Sequence, residues 1–103
     1  MTPTIIIRPG AYGDLSAARH WYNQKETGLG EKFLSSFELT VSRISWNPLL
    51  YRLVYKNIRR AATDRFPYSV FFMYNEKIGL IEILSVIHQK RNIDALLPEM
   101  ENK

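Results

Sequence analysis

The sequence contains no cysteine. That excludes a disulfide framework and every thiolate metal site, and it fits a reducing cytoplasm. No apolar run approaches the ~18–20 residues of a membrane span. Residues 1–8 have no positive region ahead of their apolar run, so a signal peptide is not expected. Histidine is scarce. His20 and His88 lie far apart with no carboxylate at ligand spacing, a poor beginning for a zinc site. Gly28-Leu29-Gly30 joins two helical patterns rather than a strand and a helix, so it does not cradle phosphate. No nucleophile elbow frames any serine. No metal and no cofactor are expected.

What is present reads as one globular domain over residues 1–103, with residues 93–103 as a short helix or a flexible tail. The net charge of +4 is local: Arg52, Lys56, Arg59, Arg60 and Arg65 stand against Asp64 alone, and that stretch carries all of it. Such clustering attracts nucleic acid, an acidic protein segment or phosphate, or else it is a solvated face.

Thr4–Arg8 is a β-branched run that Pro9 ends, a short strand. Pro9 suits the first turn of a helix, where its missing N–H costs nothing. Ala11, Leu15, Ala18 and Tyr22 then fall on one helical stripe, with Trp21 beside it. Gly28 is placed to take a left-handed conformation past the end of that helix. Phe33, Leu34, Phe37, Val41 and Ile44 mark a second amphipathic helix, with Glu31 and Arg43 suiting its dipole and Asn47-Pro48 stopping it. So short a connection predicts an antiparallel helical hairpin.

Residues 49–61 read as a helical turn followed by an extended piece around Lys56–Arg60. Residues 66–74 and 80–88 are strands joined by a short turn, hence antiparallel. Both are apolar on both faces, which places them inside a sheet. The order strand, helix, helix, then about three strands predicts an α+β fold (β-α-α-β-β-β) with the hairpin packed on a small, mostly antiparallel sheet.

Three polar residues stand out. Glu82 lies within an apolar strand, where an ion pair with a basic neighbour is favoured over a proton-holding acid. His20, beside Trp21, reads as a helix-surface residue. His88 ends the last strand with Lys90 and Arg91 next in line, so it can hold a structural position, contact an anion or transfer a proton.

Four stretches carry a resemblance. Asp14 to Phe33 (DL..A..WY....GLGEKF), residues 58–61 (IRRA), 65–74 (RFPYSVFFMY) and 83–92 (ILSVIHQKRN) together resemble the RelE/ParE superfamily of toxins from bacterial type II toxin–antitoxin modules, including the plasmid-stabilising ones. The resemblance covers about nine-tenths of the chain and implies the same hairpin-on-sheet fold. RelE-like members are ribosome-dependent ribonucleases that cut messenger RNA; ParE-like members poison DNA gyrase. Tyr68, preceded by Arg65-Phe66-Pro67, stands where RelE-like sequences open the strand with arginine, and this wording is ParE-like.

The resemblance therefore implies a cytoplasmic gyrase-binding toxin without catalytic residues. Arg59, Arg60, Arg65, Tyr68, His88, Lys90 and Arg91 would form its target-binding set. A cognate antitoxin would fold across the helices and sheet edge in a hetero-oligomer, with Trp21, Phe33 and Phe37 as contacts. The alternative is a metal-independent ribonuclease acting on the ribosome and mRNA. It would use His88 as acid and Arg59, Arg65 or Arg91 as cation, with Tyr68 or Glu82 as base only if strongly shifted. A third alternative is a non-toxic binding module on the same fold.

Overall fold

The computed structural model describes residues 2–101. Strand β1 (Thr4–Ile7) leads into helix α1 (Pro9–Lys25), and helix α2 (Leu29–Trp46) folds back along it. A single turn of 3₁₀ helix (Pro48–Leu50) then feeds β2 (Arg52–Tyr55), β3 (Ile58–Ala62), β4 (Tyr68–Asn75) and β5 (Leu80–His88). A short helix α3 (Leu97–Met100) closes the described chain. The sheet order is β1-β5-β4-β3-β2; β1 runs parallel to β5 and the other pairs are antiparallel. No described helix is long and apolar enough to cross a membrane.

The α+β layering, the helical hairpin and the interior position of β4 and β5 are as the sequence pattern predicts. The number of strands is not. The expected extended piece at residues 56–60 is a chain reversal: Tyr55 pairs with Ile58, and Lys56 and Asn57 form the turn. Lys56 adopts the left-handed φ of 48° that a two-residue hairpin turn requires. Lys-Asn lacks the glycine that usually announces such a turn, so one strand reads as the tail of another.

Pro9 opens α1 as expected. Gly28 does take a left-handed conformation (φ 89°). However, α1 ends at Lys25 with Glu26 already extended, so Gly28 starts α2 rather than ending α1. Gly30 sets how closely the two helices approach. A methyl group there would fall within contact distance of the Arg19 carbonyl and 2.7 Å from Asn23 Nδ2. Its N–H donates to Asn23 Oδ1 (2.8 Å).

The stripes Ala11/Leu15/Ala18/Tyr22 and Phe33/Phe37/Ile44 are buried against Val70, Phe72, Ile81, Ile83 and Val86. Each large side chain so buried contributes roughly 1.5–3 kcal/mol. The opposite sheet face also has a core. Leu97 and Met100 of α3 pack with Ile58, Phe71, Leu84 and Ile87, so of the two expectations for this tail the helix forms and is docked; residues 102 and 103 lie outside the described residues. Arg8 fastens that side. Its Nη2 is 2.7 Å from Glu82 Oε2, and its Nη1 donates to the Glu101 carbonyl (2.9 Å). The ion pair expected for Glu82 is thus met from the end of β1.

Strand β5 contains a bulge that decides where the chain's last side chains point. Phe71 pairs with Ser85 but Phe72 pairs with Ile83, leaving Leu84 without an opposite residue. Unbroken alternation would put His88 on the same face as Glu82 and Leu84. The extra residue reverses the parity. His88 therefore lies on the helix-hairpin side, opposite Tyr68.

Candidate functional site

That reversal builds a recess of about 340 Å³ between the start of α1 and the shared end of β4 and β5. Asp14, Ala17, Ala18 and Trp21 line it from the helix; Tyr68, Val86, Ile87, His88 and Arg91 line it from the sheet and the turn after it. Alanines 17 and 18 leave the space, and the larger side chains border it.

The Tyr68 and His88 rings meet edge to face, 5.2 Å apart at 72°. His88 Nδ1 accepts the Lys90 backbone N–H (3.1 Å), which leaves the ring proton on Nε2. The turn that follows is tied down by Gln89 N–H to the Pro67 carbonyl (2.8 Å) and Arg91 N–H to the His88 carbonyl (3.0 Å). Arg91 is thereby held at the mouth of the recess.

Asp14 was not singled out from the sequence as a site residue. β1 stops opposite Ile83, so among the described residues the outer edge of β5 has no strand beside it at Val86. Asp14 Oδ2 accepts the Val86 N–H there (2.9 Å). Its charge also acts on Tyr68. Burial first, and Asp14 second, push the Tyr68 hydroxyl above its usual value of 10.0. The only available hint was the Asp-Leu pair heading the first family-like stretch.

The remaining predicted residues do not join this recess. Arg59 pairs with Phe72 and donates to the Tyr51 carbonyl (2.7 Å) on the hairpin side. Arg60 lies on the opposite face, over the Phe71 ring, with Nε on Ser69 Oγ (2.8 Å). Arg65 sits in the β3–β4 turn at a left-handed φ of 69° and lines a separate hollow of about 740 Å³ beside α2. The two acids of that larger hollow are already paired: Glu31 with Arg19 (3.1 Å) and Asp64 with Arg43 (2.7 Å). Lys90 is exposed beyond the recess. The basic stretch is therefore spread over several surfaces rather than forming one border, because adjacent strand residues alternate faces.

The three expected antitoxin contacts also part company. Phe33 and Phe37 are 0% and 4% exposed and belong to the core, whereas Trp21 is half exposed. A helix's most regular apolar positions mark its buried side, so they present no surface to a partner. His20 is exposed on α1, as read from the sequence. Among the described residues no group of three His, Cys, Asp or Glu could hold a metal ion.

Residues 5–93 match the family described as the ParE toxin of the type II toxin–antitoxin system parDE. No curated protein sequence matches the chain. Among solved structures, the chromosomal ParDE toxin–antitoxin system of P. aeruginosa is similar, with a TM-score of 0.73 and 16% identity over 84% of this chain and 96% of that one. The RelBE2 toxin–antitoxin complex from Mycobacterium tuberculosis gives 0.62 and 15% over 85% and 99%. The isolated E. coli RelE toxin gives 0.64 and 9% over 97% of each chain. At these identities the structures speak for the fold, and the family match extends through the recess itself. The chain belongs to the ParE toxin family of type II toxin–antitoxin systems.

Proposed function

We propose that this toxin acts by binding its target, that the target is DNA gyrase, and that a cognate antitoxin holds it inactive in the cytoplasm. The observation that carries the binding reading is the fate of the two candidate bases. Burial first, and Asp14 second, push the Tyr68 hydroxyl above its usual value, so it holds its proton and offers no ready base. Glu82 lies on the opposite sheet face, engaged by Arg8. A cleavage mechanism that depends on attack by a 2′-hydroxyl lacks either of them as its base. A poison needs instead a rigid patch of aromatic and cationic anchors that favours one state of its target. Trp21, Tyr68, His88 and Arg91 supply such a patch. The ParE family match, together with Tyr68 in place of an arginine, favours gyrase.

The test is gyrase supercoiling and DNA-cleavage assays with the purified chain. Inhibition lost on His88→Ala or Arg91→Ala supports the proposal; full supercoiling at excess toxin defeats it. One observation favours a ribonuclease as second reading: the recess gathers a carboxylate, a phenol, an imidazole and a guanidinium. Cleavage of ribosome-bound message that disappears with Asp14→Asn would establish that reading instead.

Antitoxin control is supported by the P. aeruginosa and M. tuberculosis structures, which are described as a toxin–antitoxin system and a toxin–antitoxin complex. Co-purification with the product of the adjacent reading frame tests it.

A further inference from the structure

Arg65, which the recess leaves out, holds a left-handed φ of 69° in the turn between β3 and β4. Glycine takes that conformation freely; an arginine persists in it where its surroundings fix the backbone. Here they fix it on both sides. Thr63 Oγ1 and the Tyr68 N–H both donate to the Phe66 carbonyl (2.8 Å each). From α2, Ser36 Oγ donates to the Asp64 carbonyl (2.6 Å), and Arg43 Nη1 is 2.7 Å from Asp64 Oδ2. The strained residue thus rides on a pinned turn. Its exposed side chain lines the hollow of about 740 Å³ between that turn and α2. Strain kept at an exposed cation points to a task for the side chain.

The hollow itself is the second observation. Its volume lies within the range of small-molecule sites. Leu29, Lys32, Ser36 and Leu39 follow at steps of three, four and three, forming one stripe of α2 beside the buried one. Leu39 is 48% exposed there. Phe66 closes the hollow from the turn, its ring fixed edge to face against Tyr22 (5.0 Å) and Phe33 (5.4 Å). Pairing decides the sign of the charge. Glu31 is engaged by Arg19 and Asp64 by Arg43, whereas Lys32 and Arg65 form no ion pair among the described residues. The hollow therefore offers apolar walls and two uncompensated cations. A strand-forming peptide fits it poorly, since β3 and β4 are already paired along both edges.

We propose that this hollow binds a free small molecule with an anionic head and a compact apolar body, such as an aryl carboxylate, its head facing Lys32 and Arg65 and its body against Leu39 and Phe66. Charge-assisted hydrogen bonds from two separate elements hold the head, and the planar guanidinium matches a carboxylate. The turn and the Phe66 ring are fixed before a ligand arrives, which limits the cost of ordering the site. None of these residues borders the Tyr68–His88 recess, so the inference stands apart from the identity of the toxin's target.

The experiment titrates the full isotope-labelled chain with phenylpropionate and follows the backbone amides by NMR. Phenylpropionamide removes the charge, and propionate removes the ring. Phenylpropionate is expected to bind with a Kd of about 1 mM or below, and about tenfold more tightly than either comparator. The largest shifts are expected at residues 29–39 and 63–66. Arg65→Gly is expected to weaken binding about tenfold with no fall in melting temperature, because glycine relieves the left-handed strain. Lys32→Gln is expected to weaken it about fivefold. Equal affinity for the amide, shifts centred elsewhere, no binding by phenylpropionate, or unchanged affinity in both variants overturns the proposal. So does tighter binding of acetyl-Ala-Ala-Phe with a free carboxylate, which would make the end of a partner's chain the occupant.

Discussion

Tyr68 and His88 stand opposite each other in the β4–β5 ladder, and a single extra residue in β5 is what puts them on the same face. Their effect on activity separates contact from chemistry by magnitude. His88→Gln keeps a side-chain donor in the recess but removes the imidazole's proton exchange. A contact role predicts a loss of about fivefold in target affinity, the weight of one modest polar interaction. A proton-transfer role predicts a loss of about 10²–10⁴ in cleavage rate. Titrating His88→Gln and Tyr68→Phe in the gyrase and message-cleavage assays distinguishes them.

The bulge leaves a mark of its own. Ser85 is fully buried and its Oγ has no hydrogen-bond partner among the described residues. A buried hydroxyl without a partner costs about 1–3 kcal/mol. Ser85→Ala is therefore expected to stabilise the chain by about 1 kcal/mol, after allowing for the small cavity it leaves, seen as a higher urea midpoint at unchanged slope. A destabilised variant would mean that the hydroxyl finds a partner in solution.

The helix hairpin gives a contrast between two glycines. A methyl at Gly30 collides with the Arg19 carbonyl and the Asn23 side chain, while one at Gly13 meets nothing within 4 Å. Gly30→Ala should cost about 1–3 kcal/mol, since α1 and α2 must separate. Gly13→Ala, in the same hairpin, should stabilise by about 0.5–1 kcal/mol through helix propensity. Thermal melts of the two variants are expected to move in opposite directions.

Which features were legible in the sequence follows from their period. The stripe Ala11/Leu15/Ala18/Tyr22 repeats at helical spacing and lies in the core as read. In β5, nearly every position is apolar, so no alternation exists to betray the loss of register at Leu84. The side of the sheet that His88 faces was thus beyond the pattern, and with it the recess and the role of Asp14. The Arg59–Arg60 pair shows the same limit from the other direction. Adjacent residues must face opposite ways, but only the ladder with Phe72 and Phe71 says which. Both arginines belong to the expected target-binding set with their faces undetermined by sequence, and the strand register places them on opposite sides of the sheet.

Arg8 joins three parts of the fold through one guanidinium: its own position at the end of β1, Glu82 in β5 and the Glu101 carbonyl after α3. The Arg8 and Glu82 side chains are 22% and 26% exposed, so solvent weakens the pair without cancelling it. Arg8→Met should cost about 1–2 kcal/mol, largely because it strands a half-buried carboxylate. The double variant with Glu82→Met should recover most of that loss. Hydrogen exchange should also quicken near residues 97–101 in Arg8→Met, since the carbonyl clasp is gone; unchanged exchange there would assign the docking of α3 to Leu97 and Met100 alone.

Tyrosine ionisation makes stability fall in alkali. Burial, with Tyr68 nearby, raises Tyr22 above 10.0; burial, with Asp14 nearby, raises Tyr68. Both folded values exceed the unfolded one, so the neutral phenols favour the fold. Their contribution is complete below about pH 10 and is lost as pH rises through the folded values, because the unfolded chain gives up its phenol protons first. Urea midpoints taken upward from about pH 9 should therefore decline more steeply for the parent chain than for Tyr68→Phe. Asp14→Asn keeps an acceptor for the Val86 N–H but removes the charge. Because burial is the larger cause at Tyr68, this variant should lower that phenol's titration, followed by phenolate absorbance, only part of the way toward 10.0. A full return would make Asp14 the dominant influence on Tyr68 and would reopen the recess as a site of proton chemistry.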